Sequence, residues 1–295
     1  AERYSEKGDW DNAAGELEQA LKIAVSGRQK GETLTRMGWT LFKKEEYTQS
    51  VEYLEEAVNL LTRESPMYAL PWFYLGADYL NLWIRHAGAA GVELLDKSVD
   101  ASRKALDAGL SGEYKQQAHF NLSLALMRYG TKEKFLEAKD VIQRLLEEYP
   151  GYAQGHFLLG EIFFLISDKS DRGSDEEFGF LRSAMVEMEK AKELGYDDAV
   201  LSARLIAGYL QSNEPAGALE SLEIALEKYA AVDSIYCALF ERYRHYEGAS
   251  AQVLARWKAG TVKALEVIFG RKKAGEKIRA AFVRAFGGFD FSKEP

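Results

Sequence analysis

The stretch from Gly31 to Leu61, GETLTRMGWTLFKKEEYTQSVEYLEEAVNLL, constrains the fold more than any other, because it reads as two short antiparallel helices whose grammar recurs along the chain. Leu34, Met37, Gly38 and Leu41 fall at i, i+3, i+4 and i+7, one face of a helix, with Gly38 small enough to admit a close neighbour. Tyr47, Val51, Leu54, Ala57 and Val58 form a second apolar stripe, and Lys43-Lys44-Glu45-Glu46 supplies the polar turn between them. Such a hairpin cannot bury its apolar faces alone, so it demands neighbours of the same kind.

The neighbours are present. Residues 1–26 read as a half repeat with its turn at Gly8-Asp9-Trp10 and an inner stripe of Ala13, Leu17, Ala20 and Leu21. Further repeats follow at about 31–64, 66–110, 112–150, 151–196 and 199–230. The third repeat keeps Trp72, Leu75-Gly76 and Tyr79, and is about ten residues too long around His86 to Gly91, so lengthened helices or a widened loop is expected there. The fourth keeps Leu122, Ser123, Leu126, Ala138, Ile142 and Leu145; the fifth keeps Leu159-Gly160 and Phe163, then Leu181, Ala184, Met188 and Ala191, with a polar insertion from Asp168 to Asp175. The sixth places Leu205, Ile206 and Tyr209 on one helix and Ala218, Leu222 and Ala225 on the next. Residues 231–295 still pattern as helices but lose the register, as terminal capping helices do.

This small-large pattern resembles the tetratricopeptide repeat (TPR), a helix-turn-helix of about 34 residues. Met37-Gly38 stands at the Leu-Gly pair, Leu41 at the Tyr position, Tyr47 at the turn aromatic and Ala57 at the final Ala, with Ser50 in place of the usual Ala as a small-for-small change. The resemblance covers residues 31 to about 229. It implies an all-α, right-handed superhelical α-solenoid of antiparallel helix pairs, with atypical C-terminal capping helices.

Composition agrees with helix throughout: five prolines in 295 residues and abundant Ala, Leu, Glu and Lys. The net charge of −8 argues against nucleic acid as a partner, since phosphate binding draws on a net basic surface. Residues 251–295 carry ten Lys or Arg against four Asp or Glu, which reads either as a solvated basic helix or as a tail that docks on an acidic surface of this chain or of a partner. The single cysteine, Cys237, forms no disulfide within the chain, and its flanks make it a small buried hydrophobe. The greasiest run, Leu70 to Ile84, contains Asp78 and is cut by Arg85, so no membrane insertion is expected. These features make cytoplasm the default compartment. Because the chain begins inside a helical pattern, earlier repeats or a targeting segment are expected ahead of it, which leaves a periplasmic or membrane-associated setting as the alternative.

No catalytic constellation is visible, so the chain reads as a non-enzyme without cofactor or metal. His86, His119, His156 and His245 are scattered, and His119 and His156 occupy the position that Trp72 holds in the third repeat, which makes them packing residues with a polar edge. Asp168, Ser170 and Gly173 sit at calcium-loop positions one, three and six, but Arg172 and Gly179 fall where oxygen ligands are needed, which leaves a solvated loop.

In the resembled family the first helices of successive repeats line a concave groove that holds a peptide or helix. Carried over, those positions show Trp39 and Phe42 from the second repeat, Phe73 from the third, and Phe120 and Met127 from the fourth. Phe157, Glu161 and Phe164 follow from the fifth. The set lacks the Lys, Asn and Arg with which one subgroup grips a terminal carboxylate, so an amphipathic helix or hydrophobic segment is the implied guest, anchored on Phe73, Phe120 and Phe157. The same side chains read equally as core. The basic, amphipathic segment 277–286 is either a guest for this groove or a cap on the last repeat. The function expected is a non-catalytic scaffold for a protein or peptide partner. The alternatives are a regulatory or assembly domain of a larger protein and a self-associating homo-oligomeric module.

Overall fold

The computed structural model describes residues 1–86, 91–211, 217 and 221. Residues 87–90 of the expected insertion, most of the second helix of the sixth repeat, Cys237, the capping helices of 231–295 and the segment 277–286 lie outside the described residues. Among the described residues the chain is all helix, in two compact bodies, Ala1–Glu148 and one that begins at Tyr149.

The first body contains α1 (Glu2–Ser5), α2 (Trp10–Ile23), α3 (Gly27–Lys43), α4 (Tyr47–Leu60), α5 (Ala69–Arg85), α6 (Glu93–Asp107), α7 (Gly112–Met127) and α8 (Lys132–Glu148). Each packs on the next from α1 to α8, and α5 also packs directly on α3 and α7, so α3, α5 and α7 form one layer alternating with α4 and α6. The packing follows the stripes. Leu34, Met37 and Leu41 of α3 are buried, as are Leu54 and Ala57 of α4 and Leu75, Gly76 and Tyr79 of α5.

Local chemistry sets the ends. Ser26 caps α3 by accepting the Gln29 N–H at 3.1 Å. At its other end Glu45 turns left-handed at φ 61°, which lets the Glu46 N–H reach back to the Leu41 carbonyl at 2.9 Å and releases the chain into α4. The long third repeat does not lengthen its helices. α5 has 17 residues like α3, and α6 has 15 against 14 in α4, so the excess falls in the connection between Arg85 and Glu93.

The second body contains α9 (Ala153–Asp168), α10 (Asp175–Glu193) and α11 (Ala199–Gln211). α10 packs on both α9 and α11, with Leu159, Gly160 and Phe163 of α9 and Leu181, Ala184, Met188 and Ala191 of α10 all buried. The polar insertion of the fifth repeat is the connection between α9 and α10 followed by an N-cap: Ser174 accepts the Glu177 N–H at 3.1 Å, and the Glu177 carboxylate returns to the Gly173 N–H at 2.6 Å. The pair is a variant of the capping box, whose Ser174-x-x-Glu177 signature is plain in the sequence, with the return bond taken from the Gly173 N–H just before the cap while the Ser174 N–H bonds the Asp171 carbonyl. It turns Glu177 inward until it is 1% exposed.

Candidate binding surface

The first body carries a connected row of aromatic side chains. Tyr47 at the start of α4 lies 5.7 Å from Phe42 on α3, Phe42 lies 5.9 Å from Tyr74 on α5, Tyr74 lies 5.0 Å from Phe73, and Phe73 lies 5.3 Å from Tyr114 in the first turn of α7. Trp39, one turn before Phe42, meets Trp10 of α2 edge-on at 5.5 Å. Centroid separations in this range are those at which ring quadrupoles attract. The row is therefore held by its own contacts, with a ring from each of four helices.

Exposure divides it. Trp39 and Phe42 on α3 and Phe120 and Met127 on α7 are half-buried, and Tyr114 is 45% exposed. α5, between them, is buried without interruption from Phe73 to Leu80. Phe73, expected as a groove anchor, is 7% exposed, and of its two readings the core reading describes it: Tyr74 and Tyr114 flank its ring. Burial, with the Tyr114 hydroxyl as a hydrogen-bond partner, pushes the Tyr74 phenol far above its ordinary range, so Tyr74 stays neutral. At one end of the row the Arg85 guanidinium stands 4.4 Å from the Tyr47 ring and pairs with Glu45 at 2.7 Å.

In the second body Phe164 is 1% exposed and the Arg204 guanidinium of α11 lies 5.4 Å from its ring, so it too is a core side chain. Glu161 is already engaged, accepting two hydrogen bonds from Arg204 at 2.6 and 3.0 Å. Phe157 is half-buried and stacked on Tyr196 at 4.6 Å. Both packing histidines have polar edges tied locally. His119 Nδ1 lies 2.8 Å from the Lys115 carbonyl and burial pulls its ring below the usual range, while His156 sits between the Glu187 carboxylate at 2.6 Å and the Pro150 carbonyl at 3.0 Å.

Trp10, Tyr74 and Tyr114 were absent from the residues expected at the surface. No periodic signal marks them, because each is placed by meeting a ring on another helix. Among the described residues no group of three or more His, Cys, Asp or Glu is placed to hold a metal ion, and no helix is long and apolar enough to cross a membrane.

Alternating layers of paired helices, with Gly at the closest crossings, define a helical-repeat protein of the TPR-like α-solenoid fold. Solved structures bear this out. The chain is similar to YrrB, described as a TPR protein with an unusual peptide-binding site, at a TM-score of 0.53 and 15% identity over 78% of this chain and 99% of that one. It is also similar to MamA from Desulfovibrio magneticus RS-1, at 0.51 and 15% identity over 67% of this chain and 94% of that one. At such identity the likeness is one of fold. No protein-family model matches the chain, and no curated protein does.

Proposed function

We propose that this chain is a non-catalytic scaffold that binds an apolar segment of a partner protein on the α3–α7 side of its first body. The observation that carries the reading is that Trp39 and Phe42 on α3 and Phe120 and Met127 on α7 are left half-buried and Tyr114 is 45% exposed. Trp and Tyr present large contact areas at small entropic cost, which is why such residues dominate binding energy where they line a surface. The peptide-binding site named for YrrB supports the reading by analogy of fold.

The purified chain is panned against a display library of random peptides, and the selected sequences are measured by fluorescence anisotropy. Peptides rich in Leu, Phe and Trp are expected, with affinity reduced tenfold or more by Trp39→Ala or Phe120→Ala at unchanged helicity. Selection of no peptide, or equal affinity for the wild type and both variants, overturns the proposal.

A further inference from the structure

Asp78 is completely buried in the middle of α5, between α3 and α4. Its Oδ2 lies 2.6 Å from Ser50 Oγ on α4, and the same Ser50 Oγ lies 2.8 Å from the Gly38 carbonyl on α3. A serine hydroxyl has one proton, and the Gly38 carbonyl has none. With an ionised Asp78, two acceptors would face one proton, and one of these short contacts would bring two oxygen lone pairs together. A proton on Asp78 Oδ2 resolves it: Asp78 donates to Ser50, and Ser50 donates to Gly38. The other oxygen, Oδ1, has no hydrogen-bond partner, which a neutral carbonyl tolerates far better than a buried carboxylate.

Beyond the Ser50 hydroxyl, Asp78 has no hydrogen-bond donor. α3 presents the Gly38 carbonyl and α4 presents Ser50 and the phenol of Tyr47, while α5 itself adds Tyr79; burial above all pushes both phenols up. Among the described residues no charged group of α3, α4, α6 or α7 acts on Asp78, and burial pushes its carboxyl up to about 8 against the weaker opposing hydrogen bond from Ser50.

We propose that Asp78 is held as the neutral acid in the folded chain and works as a proton-operated clasp, in which Asp78 Oδ2–H, the Ser50 hydroxyl and the Gly38 carbonyl form one directed chain tying α5 through α4 to α3. Ionisation releases the Oδ2 proton to solvent, reverses or breaks the Ser50 bond, and strands a charge between three helices. The clasp lies one helical turn from the Phe42–Tyr74 contact, since Gly38 precedes Phe42 and Asp78 follows Tyr74 by four residues each. Loss of the proton therefore loosens the joint beneath the aromatic row.

The direction of the pH effect follows from linkage. The folded chain binds this proton more tightly than the unfolded one, so the stabilisation is complete below about pH 4, where both states are protonated, and is lost as pH rises to about 8. The test is urea denaturation of the wild type and Asp78→Asn across pH 5 to 9.5. The asparagine keeps a donor toward Ser50 and carries no charge. The ratio of the wild-type to the variant unfolding constant is expected to rise about a hundredfold from pH 5 to pH 7 and to level off above the folded pKa. Parallel pH profiles would overturn the proposal. Should the variant not fold, 13C NMR of the wild type decides: a carboxyl resonance assigned through the Asp78 backbone is protonated at pH 6 and titrates near 8, and an ionised Asp78 at pH 6 refutes the clasp.

Discussion

Replacing Gly76 by alanine tests whether close helix approach, and not merely helix formation, holds the first body together. Gly76 lies where α5 crosses α6, and its carbonyl accepts the Ser98 hydroxyl at 2.7 Å. A Cβ there would stand 2.5 Å from Ser102 Oγ, 3.2 Å from the Ser102 backbone nitrogen and 3.4 Å from its Cα. Rotation of Ser102 relieves only the first of these; the backbone contacts remain until the helices separate. Alanine gains ~1 kcal/mol of helix propensity. Against this stand overpacking, ~1–3 kcal/mol, and a strained Ser98 bond worth ~1 kcal/mol. The net expectation is a loss of about 2 kcal/mol. Gly15→Ala in α2, where a Cβ meets nothing within 4 Å, is the control and should gain ~0.5–1 kcal/mol. Both are read by urea denaturation followed by circular dichroism. Adding Ser102→Ala to Gly76→Ala should restore only part of the loss, because the backbone contacts persist. If Gly76→Ala stabilises as Gly15→Ala does, the close approach is not what the glycine serves.

Two further substitutions probe the second body. Ser174→Ala should cost ~1 kcal/mol by removing the cap of α10, whereas Ser174→Asp, which retains an acceptor for the Glu177 N–H, should unfold close to the wild type in the same assay. Glu161→Gln should lower stability by ~1 kcal/mol, because it removes a two-pronged, charge-assisted bond to Arg204 that links α9 to α11. Hydrogen exchange should then rise in α11 more than in α10, and uniform exchange would show that the pair does not organise α11.

The Leu-Gly pairs illustrate what can be seen without coordinates. Gly38, Gly76 and Gly160 recur at the repeat period, each just after an apolar residue that is itself buried, and each sits where an added Cβ would strike the following helix. The aromatic residues were not separable in the same way. Phe73 and Phe120 occupy matching positions in their repeats, yet one is covered and the other half-buried, because Phe73 has Tyr114 of α7 beside it. Ser50 read as a small residue replacing another small residue, and Asp78 as an interruption of an apolar run. Their meeting across 28 residues, with the Gly38 carbonyl as third member, has no trace in local spacing.

The sequence by itself determined the helices, their pairing and the repeat, since a helix closes its hydrogen bonds within four residues and its apolar stripe repeats with its own turn. Only the tertiary structure decided which rings remain partly exposed, which carboxylate is engaged by Arg204, and that the aspartate of α5 faces a serine it shares with a carbonyl. Burial and proton position are properties of a neighbourhood, and in a stacked repeat the neighbourhood is assembled from helices that lie far apart in the chain.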